Sequence, residues 1–135
     1  MFKDKVVIIT GGAQGIGKCI KEEFEKNHAK CFVIDKMEGN HYVGDLSDKK
    51  VLEEFVQYVI KESGHIDYII NNAKPIFKGI DTCTYEEFMY ALQVGVSAPF
   101  YLTKLCVPYL NKNACIVNIS STREDHYEFM VIPLV

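Results

Sequence analysis

Short apolar runs alternate along the chain with longer stretches in which apolar residues recur at helical spacing. The first run, residues 5–9, is almost continuously apolar and ends at Thr10-Gly11-Gly12, which is typical of a parallel strand buried on both faces. The other predicted strands are residues 31–34, 41–43, 68–70 and 115–119, and the predicted helices are residues 16–27, 48–62 and 85–110.

The alternation of strands and helices, joined by links of a few residues, favours βαβ units with right-handed crossovers. The chain contains no internal repeat and no linker-like segment between domains. The sequence therefore predicts an α/β fold in which helices cover a parallel sheet of about five strands.

Local signals predict where two of the helices begin and end. Ser47 is a suitable N-cap for helix 48–62, and Gly64 is a suitable terminator. Thr84-Tyr85-Glu86-Glu87 has the composition of a capping box, so the long helix 85–110 is expected to begin there. Pro99 lies inside that helix and is expected to kink it.

Composition excludes several classes of protein. The chain has 135 residues, of which 48% are hydrophobic, and a formal net charge of -3. The length fits one domain, and the acidic balance argues against a nucleic-acid partner. The longest apolar runs are about five residues, far below the ~20 that a membrane-spanning helix needs. Residues 1–5 include an acid and precede only a short apolar run, unlike a signal peptide, which predicts a cytoplasmic protein.

Neither the cysteines nor the histidines are spaced like metal ligands. The five cysteines are odd in number, widely separated and free of any CxxC pair, which is typical of reduced thiols. The four histidines lie far apart, and none has a second histidine at helical ligand spacing. We therefore expect no bound metal.

Gly11, Gly15 and Gly17 form the pattern Thr-Gly-x-x-x-Gly-x-Gly where the first strand leads into the first helix. Gly11 suits a tight turn, Gly15 lets a diphosphate approach backbone N–H groups, and Gly17 lets the helix pack closely. The helix N-terminus adds unpaired donors and a dipole that favours negative charge. A purely structural turn is the alternative, but the position at the start of a βαβ unit favours dinucleotide binding.

Asp35 ends the second predicted strand, about 20 residues beyond the glycine loop. A carboxylate at this place can accept both ribose hydroxyls of an adenosine. A 2′-phosphate would meet a like charge there, so NAD(H) is predicted as the cofactor rather than NADP(H). The neighbouring Lys36 softens that preference, and a solvated turn acid is the alternative interpretation of Asp35.

Four motifs follow one another in the order and spacing of the classical short-chain dehydrogenases/reductases, which this chain resembles. They are TGGAQGIG at residues 10–17, Asp45-Leu46, Asn71-Asn72-Ala73, and IVNISS at residues 116–121. The resemblance covers residues 1–123, interpreted as the NAD(P)-binding Rossmann domain and about half of a usual member, whereas residues 124–135 form a divergent tail. It implies a Rossmann-like doubly wound sheet in strand order 3-2-1-4-5, incomplete relative to the family.

The resemblance also implies roles for the matched positions. Asp45 is similar to an acid that accepts a hydrogen bond from the adenine amino group, with Leu46 near the ring, and Ser121 is similar to the serine that polarises a substrate carbonyl. The implied cofactor-binding residues are Thr10, Gly11, Gln14, Gly15, Ile16, Gly17, Asp35, Asp45, Leu46, Asn71, Asn72 and Ala73. Simpler interpretations stay open, because Asp45 can cap a turn, Asn71 can satisfy loop backbone and Ser121 can end a strand.

The acid–base pair of the family is missing from this sequence. The family carries Tyr-x-x-x-Lys about a dozen residues after the serine, and the lysine lowers the tyrosine pKa from about 10 toward neutrality. Here Tyr127 lies too close to the serine, Val131 follows it at the lysine spacing, and no lysine occurs after Lys112. Gly95 also stands in place of a proton-relay asparagine, and Lys74 in place of a glycine.

The resemblance implies an NAD-dependent oxidoreductase of alcohol and carbonyl substrates, in a truncated or frameshifted form that lacks the acid–base pair. A non-catalytic dinucleotide-binding module and an inert gene-product fragment are the alternatives. Without the later strands and helices of the family, helix 85–110 is expected to expose apolar surface around Phe100, Tyr101 and Leu102. Surface of this kind favours self-association.

Overall fold

The computed structural model describes residues 1–76 and 78–120. Its strands are β1 (Val6–Thr10), β2 (Lys30–Asp35), β3 (Tyr42–Val43), β4 (Ile66–Asn71) and β5 (Leu110–Asn118). The helices are α1 (Gly15–Lys26), α2 (Lys49–Ser63), α3 (Tyr85–Leu92) and α4 (Ala98–Cys106), with a π-helical turn at Gln93–Ser97 and a 3-10 turn at Val107–Tyr109. The strands form one parallel sheet in the order β3-β2-β1-β4-β5, which confirms the predicted topology. Within the described ranges, no helix has the length and apolar character that a bilayer crossing requires.

Two apolar layers enclose the central strands, because alternate residues of a strand face opposite sides of the sheet. Val6 and Ile8 of β1 belong to the layer that includes α2 and α4. Val7 and Ile9 belong to the opposite layer, against which Phe24 of α1 packs. The continuous apolar run in the sequence therefore reflects a strand that is covered on both faces.

The N-cap of α2 is Asp48, so the prediction of Ser47 at that position is wrong. The Asp48 carboxylate accepts a hydrogen bond from the Lys50 N–H at 2.9 Å. The Ser47 N–H instead donates to Asp45 Oδ1 at 2.9 Å, so Ser47 belongs to the turn before the helix. Gly64 ends the helix with a φ of 77°, as predicted, because glycine adopts the left-handed conformation without a Cβ penalty.

The predicted helix 85–110 is interrupted rather than continuous. The predicted capping box is present: Thr84 Oγ1 accepts from the Glu87 N–H at 3.1 Å, and the Glu87 carboxylate accepts from the Thr84 N–H at 3.0 Å. The regular helix then ends at Leu92, and the π-helical turn precedes Pro99. A proline removes one backbone donor and crowds the carbonyl four residues before it, so a wider turn at this place accommodates Pro99.

Gly95 lies in the π-helical turn, and its replacement by alanine is expected to stabilise the fold. A Cβ at this position would meet Pro75 Cδ at 3.7 Å, which is an ordinary van der Waals contact. Glycine loses more conformational freedom than alanine on entering a helix, so Gly95→Ala is expected to raise the free energy of unfolding by about 0.5–1 kcal/mol. Urea denaturation followed by far-UV circular dichroism measures this change, and a lower unfolding free energy would contradict the local geometry.

The strand β5 begins at Leu110, before the predicted start at Cys115. Leu110 pairs with Ile66, and the register then shifts so that Cys115 pairs with Tyr68. Between these pairs Asn113 has a φ of 69°. The irregular segment is polar, with the sequence NKNA at residues 111–114, so the apolar pattern of the strand is interrupted there.

The predicted apolar surface on α4 is only partly present. The Phe100 side chain is 67% exposed, whereas Leu102 is 1% exposed, so the expectation is wrong for Leu102. Tyr101 is half-buried and donates its hydroxyl to Glu53 at 3.0 Å. Phe100 and Ile116 line an open cavity of about 620 Å³ between α4 and β5. Self-association through this surface stays a prediction.

Candidate cofactor-binding site

A cleft of about 500 Å³ opens at the carboxyl ends of β1, β2 and β4. Open α/β sheets bind ligands at this edge, where the strand order reverses, and the reversal here lies between β1 and β4. The volume is within the range of roughly 300–1,000 Å³ that is usual for small-ligand sites. Nine of the twelve predicted cofactor-binding residues line the cleft, and the three that do not are Thr10, Gly17 and Asn71.

The middle glycine of the loop leaves open space at the start of α1. Gly15 has a φ of 58°, and a Cβ placed on it would have no neighbouring atom within 4 Å. Gln14 occupies the N-cap position without a side-chain hydrogen bond, and the first turn of α1 contains no acidic residue. Among residues 1–76 and 78–120, no carboxylate or hydroxyl caps the N-terminal donors of this helix, an arrangement that suits an anionic ligand.

The other two glycines allow close packing. Gly11 has a φ of 67°, and a Cβ there would lie 2.8 Å from Ala73 Cα. A Cβ on Gly17 would overlap the Gly11 carbonyl oxygen and would lie 2.5 Å from Asn72 Nδ2. The sequence predicts that Gly17 lets the helix pack closely on the strand. In the structure, the atoms close to Gly17 belong instead to Gly11 of the loop and to the Asn72 side chain.

Thr10 and Asn72 hold the glycine loop against the end of β4. Thr10 Oγ1 accepts hydrogen bonds from the N–H groups of Asn72 at 3.0 Å and Ala73 at 3.1 Å. Asn72 Nδ2 donates to the carbonyl oxygens of Thr10 at 3.2 Å and Gly11 at 3.0 Å. These four bonds fix the backbone at the floor of the cleft. Thr10 is only 3% exposed, so it shapes the cleft by holding Asn72 and Ala73 and not by lining it.

Asn71 ties β4 to β5 instead of lining the cleft. Its Nδ2 donates to Asn118 Oδ1 at 2.9 Å, and its carbonyl oxygen accepts from the Ile119 N–H at 3.0 Å. The buried Asn71 Oδ1 receives no hydrogen bond from residues 1–76 and 78–120. The Asn71 side chain therefore braces β4 against β5.

Asp35 is buried at the rim of the cleft, with 9% of its surface exposed. Its Oδ2 accepts from the Ala13 N–H at 3.0 Å, and its Oδ1 accepts from the Met37 N–H at 3.0 Å. These bonds connect the glycine loop to the end of β2 and hold the carboxylate at the cleft. Asp35 caps a turn through the Met37 N–H, as the alternative interpretation expects, but its side chain is buried and not solvated.

Asp45 and Tyr90 form a hydrogen-bonded pair on the opposite wall. The Tyr90 hydroxyl lies 3.1 Å from each carboxylate oxygen of Asp45, and the Lys36 ammonium lies 5.4 Å from the centre of the Tyr90 ring. Burial raises the pKa of Asp45, but hydrogen bonds from Ser47 and Tyr90 and the charge of Lys36 outweigh it, and the pKa lies below its ordinary value. Asp45 also caps a turn by accepting from the Ser47 N–H. The alternative interpretation of Asp45 as a turn cap therefore describes one of its contacts, and the bond from Tyr90 is the other.

Tyr90 was missed as a site residue because its place in the sequence is typical of the core. It lies on α3 beside the buried Ala91 and four residues before the buried Val94, in a stripe that predicts packing. Lys74, by contrast, does line the cleft, at the position where the resemblance leads one to expect glycine. The predicted catalytic residue Ser121 lies outside the described residues.

The thiols and imidazoles do not gather into a second site in the part of the chain that the structure describes. No three side chains among His, Cys, Asp and Glu could together hold a metal ion there, and the five cysteines are free. Burial raises the pKa of Cys31 and Cys106 to about 12, so these two thiols are weak nucleophiles at neutral pH.

Comparisons with known proteins agree with the fold. The family model described as short chain dehydrogenase matches residues 5–132, and so extends beyond residue 123, where the resemblance in the sequence analysis ends. L-fucose dehydrogenase of Mus musculus is 30% identical over 135 aligned positions, which cover 89% of this chain and 50% of that protein. The chain spans about half the length of the curated relatives it matches.

Solved structures show the same architecture. An apo SCOR enzyme from Clostridium thermocellum superimposes with a TM-score of 0.84 at 37% identity, covering 93% of this chain and 57% of that one. A short chain dehydrogenase from Burkholderia cenocepacia in complex with NADP has a TM-score of 0.84 at 20% identity, covering 93% and 59%, which is a likeness of fold alone. With a family match over most of its residues, this chain belongs to the short chain dehydrogenase family of oxidoreductases.

Proposed function

We propose that the cleft binds NAD(H) in preference to NADP(H), and that this chain is the cofactor-binding part of an oxidoreductase of alcohol and carbonyl substrates. Members of the family bind a nicotinamide dinucleotide, which supports this class of ligand. The observation that carries the preference is the buried carboxylate of Asp35 at the end of β2. A bound nicotinamide supplies the hydride acceptor or donor, and the residues of this chain bind and orient it.

The residues of the cleft suit the adenosine diphosphate part of such a cofactor. The open space at Gly15 and the N-terminus of α1 suit the diphosphate. Asp35 is placed to accept ribose hydroxyls, and Asp45 to accept a hydrogen bond from the adenine amino group, with Leu46 lining the same wall. These parts of the proposed site all line one cleft, which supports a single extended ligand.

Lys36 does little to offset the charge of Asp35. Its ammonium lies over the Tyr90 ring, within the field of the Asp45 carboxylate. A cation held by an aromatic face and an acid has less attraction to offer a ligand phosphate. We therefore expect the charge of Asp35 at the end of β2 to repel a 2′-phosphate.

We expect these 135 residues to bind the cofactor but not to catalyse its oxidation or reduction on their own. The sequence contains no Tyr-x-x-x-Lys pair, and a free tyrosine with a pKa of about 10 is a poor proton donor at neutral pH. NADH is therefore expected to bind, but it should not be oxidised when simple ketones are added. An absorbance assay of NADH over a panel of ketones and aldehydes measures this, and steady oxidation would overturn the proposal for the acid–base chemistry.

Titration calorimetry with NADH and NADPH tests the cofactor preference. The wild-type chain is expected to bind NADH roughly tenfold or more tightly than NADPH. The Asp35 carboxylate and the 2′-phosphate are like charges, whose juxtaposition costs several kcal/mol before solvent screening reduces that cost. Asp35→Asn removes the charge and keeps the shape of the side chain, so it should reduce this ratio mainly by improving the binding of NADPH. Asp81→Asn makes the same charge change at an exposed position outside the cleft and should leave the ratio unchanged.

The outcomes of this titration separate the possible functions. Tighter binding of NADH that depends on Asp35 supports the proposal. Equal binding of NADH and NADPH to the wild-type chain contradicts the role of Asp35. Failure of both dinucleotides to bind supports an inert fragment.

A further inference from the structure

Tyr90 places a polar group in the cleft that the cofactor-binding motifs do not include. Its hydroxyl donates toward both carboxylate oxygens of Asp45, at 3.1 Å from each. Tyr90 is held in place by α3, which begins at the capping box and buries the neighbouring Ala91. The hydroxyl is therefore positioned by the fold and does not depend on a ligand.

The bonds to Asp45 leave part of its acceptor capacity unused. Oδ1 accepts from the Ser47 N–H at 2.9 Å and shares the Tyr90 hydroxyl. Oδ2 shares the same hydroxyl, and the Ser47 side chain also donates to this carboxylate. A carboxylate has about four lone-pair sites, so Asp45, which lines the cleft, can still accept from a ligand.

The two groups have opposite hydrogen-bonding roles at neutral pH. Hydrogen bonds and the charge of Lys36 more than offset burial and hold the pKa of Asp45 below its ordinary value, so the group is an acceptor only. Burial and the bond to Asp45 raise the pKa of Tyr90, so its hydroxyl remains a donor. A ligand that meets this wall of the cleft must therefore offer a donor to Asp45.

We propose that Tyr90 is a specificity-determining positioning residue, which fixes the Asp45 carboxylate so that it accepts from the 6-amino group of a purine. The inference rests on the proposed function, that the cleft binds a dinucleotide. Adenine presents an amino donor at this position, whereas a 6-oxopurine presents a carbonyl acceptor that faces the lone pairs of Asp45. A site built for a donor rejects an analogue that lacks it, so the cleft selects adenine dinucleotides over hypoxanthine dinucleotides.

The test compares the dissociation constants of NAD⁺ and its hypoxanthine analogue, deamino-NAD⁺. The wild-type chain is expected to prefer NAD⁺ roughly tenfold, because a hydrogen bond to a charged group is lost in the analogue. Tyr90→Phe keeps the ring and removes the hydroxyl, and it should lower this preference roughly threefold or more through weaker NAD⁺ binding. Tyr85→Phe removes the same atom from a residue of α3 that is 74% exposed, and it should keep the wild-type preference.

Each result decides the inference. If the wild-type chain binds NAD⁺ and deamino-NAD⁺ equally, or if Tyr90→Phe keeps the full preference, Tyr90 does not position Asp45 for an amino group. If the wild-type chain binds neither nucleotide, the proposed function fails, and the inference fails with it. Tyr90→Leu also removes the hydroxyl and supplies the same comparison of constants if Tyr90→Phe does not fold. Asp45→Asn adds an amide donor, and it should shift the preference toward deamino-NAD⁺.

Discussion

Replacement of Gly17 by alanine is expected to lower the free energy of unfolding by about 3 kcal/mol and to abolish dinucleotide binding. The added Cβ would overlap the Gly11 carbonyl oxygen and would lie 2.5 Å from Asn72 Nδ2. Neither neighbour can move freely, because Asn72 Nδ2 donates to the Gly11 carbonyl at 3.0 Å and to the Thr10 carbonyl at 3.2 Å. The loop backbone must shift, and the whole diphosphate cradle shifts with it.

Gly15→Ala is the matched control, since it adds the same methyl group two residues earlier. The new Cβ meets no atom within 4 Å, but the residue has a φ of 58°, which costs a non-glycine residue about 1–2 kcal/mol. We therefore expect Gly15→Ala to destabilise the fold less than Gly17→Ala. Its methyl group would still occupy the space proposed for the diphosphate, so NADH binding should also weaken.

Urea unfolding and NADH titration on the two variants separate packing from binding. Gly17→Ala should show a lower unfolding midpoint and no binding, whereas Gly15→Ala should show a smaller change in midpoint and weakened binding. Wild-type stability in Gly17→Ala is incompatible with the close approach described for this loop. Wild-type NADH affinity in Gly15→Ala is incompatible with a diphosphate at the start of α1.

The fold could be predicted because its central strands are buried on both faces. The runs that form β1 and β2 are apolar without alternation, and few other elements share this pattern. Helix ends were predictable where a single residue decides the backbone conformation, as at Gly64, or where two side chains act together, as at Thr84 and Glu87. These signals are local, so no tertiary information was needed.

The predictions failed where tertiary contacts decide between equivalent local choices. Ser47 and Asp48 are both good N-caps, and the choice of Asp48 follows from the bond between the Ser47 N–H and Asp45. The early start of β5 was hidden by the polar residues 111–114. Asn111 in that segment donates to Asp67 at 3.0 Å, a contact that local sequence does not indicate.

In the candidate site, too, local sequence predicts some residues, whereas others depend on tertiary contacts. The glycine loop and Asp35 could be predicted from spacing, because the chain must present bare backbone and a carboxylate at consecutive strand ends. Tyr90 could not, because an amphipathic tyrosine on a helical stripe looks like a core residue until the facing Asp45 is known. Thr10 shows a third case, in which a predicted site residue shapes the cleft by holding other backbone groups.

Asp67 forms a buried polar junction at the opposite end of the sheet from the cleft. Its side chain is 5% exposed, and its Oδ2 accepts from the buried Val6 N–H at 2.9 Å. Its Oδ1 accepts from Asn111 Nδ2 at 3.0 Å and lies 3.8 Å from the Lys5 ammonium. His65 Nε2 lies 3.2 Å from Oδ2. One carboxylate therefore connects the starts of β1 and β4 to the irregular segment of β5.

Asp67→Ala is expected to lower the free energy of unfolding by about 3 kcal/mol at neutral pH, because it leaves the buried Val6 N–H without an acceptor. Asp67→Asn retains one oxygen and the side-chain volume, so a smaller loss is expected. Asp81→Ala, at an exposed position, should change the free energy by less than about 0.5 kcal/mol. Urea denaturation of the three variants, followed by far-UV circular dichroism, measures these differences.

The pH dependence gives the same prediction a second test. Burial raises the pKa of Asp67, but hydrogen bonds from Val6 and Asn111 and the charges of His65 and Lys5 outweigh it, so the pKa in the folded chain is below its ordinary value. Such a group contributes its full stability above the unfolded pKa of about 4, and this contribution is lost as the pH falls through the folded value. The difference in unfolding free energy between wild type and Asp67→Ala should therefore be largest above about pH 4 and should narrow below it. A difference that stays constant as the pH falls would mean that Asp67 stabilises the fold through its packing and not through its charge, and a difference that widens in acid would mean that the pKa of Asp67 is raised in the folded chain.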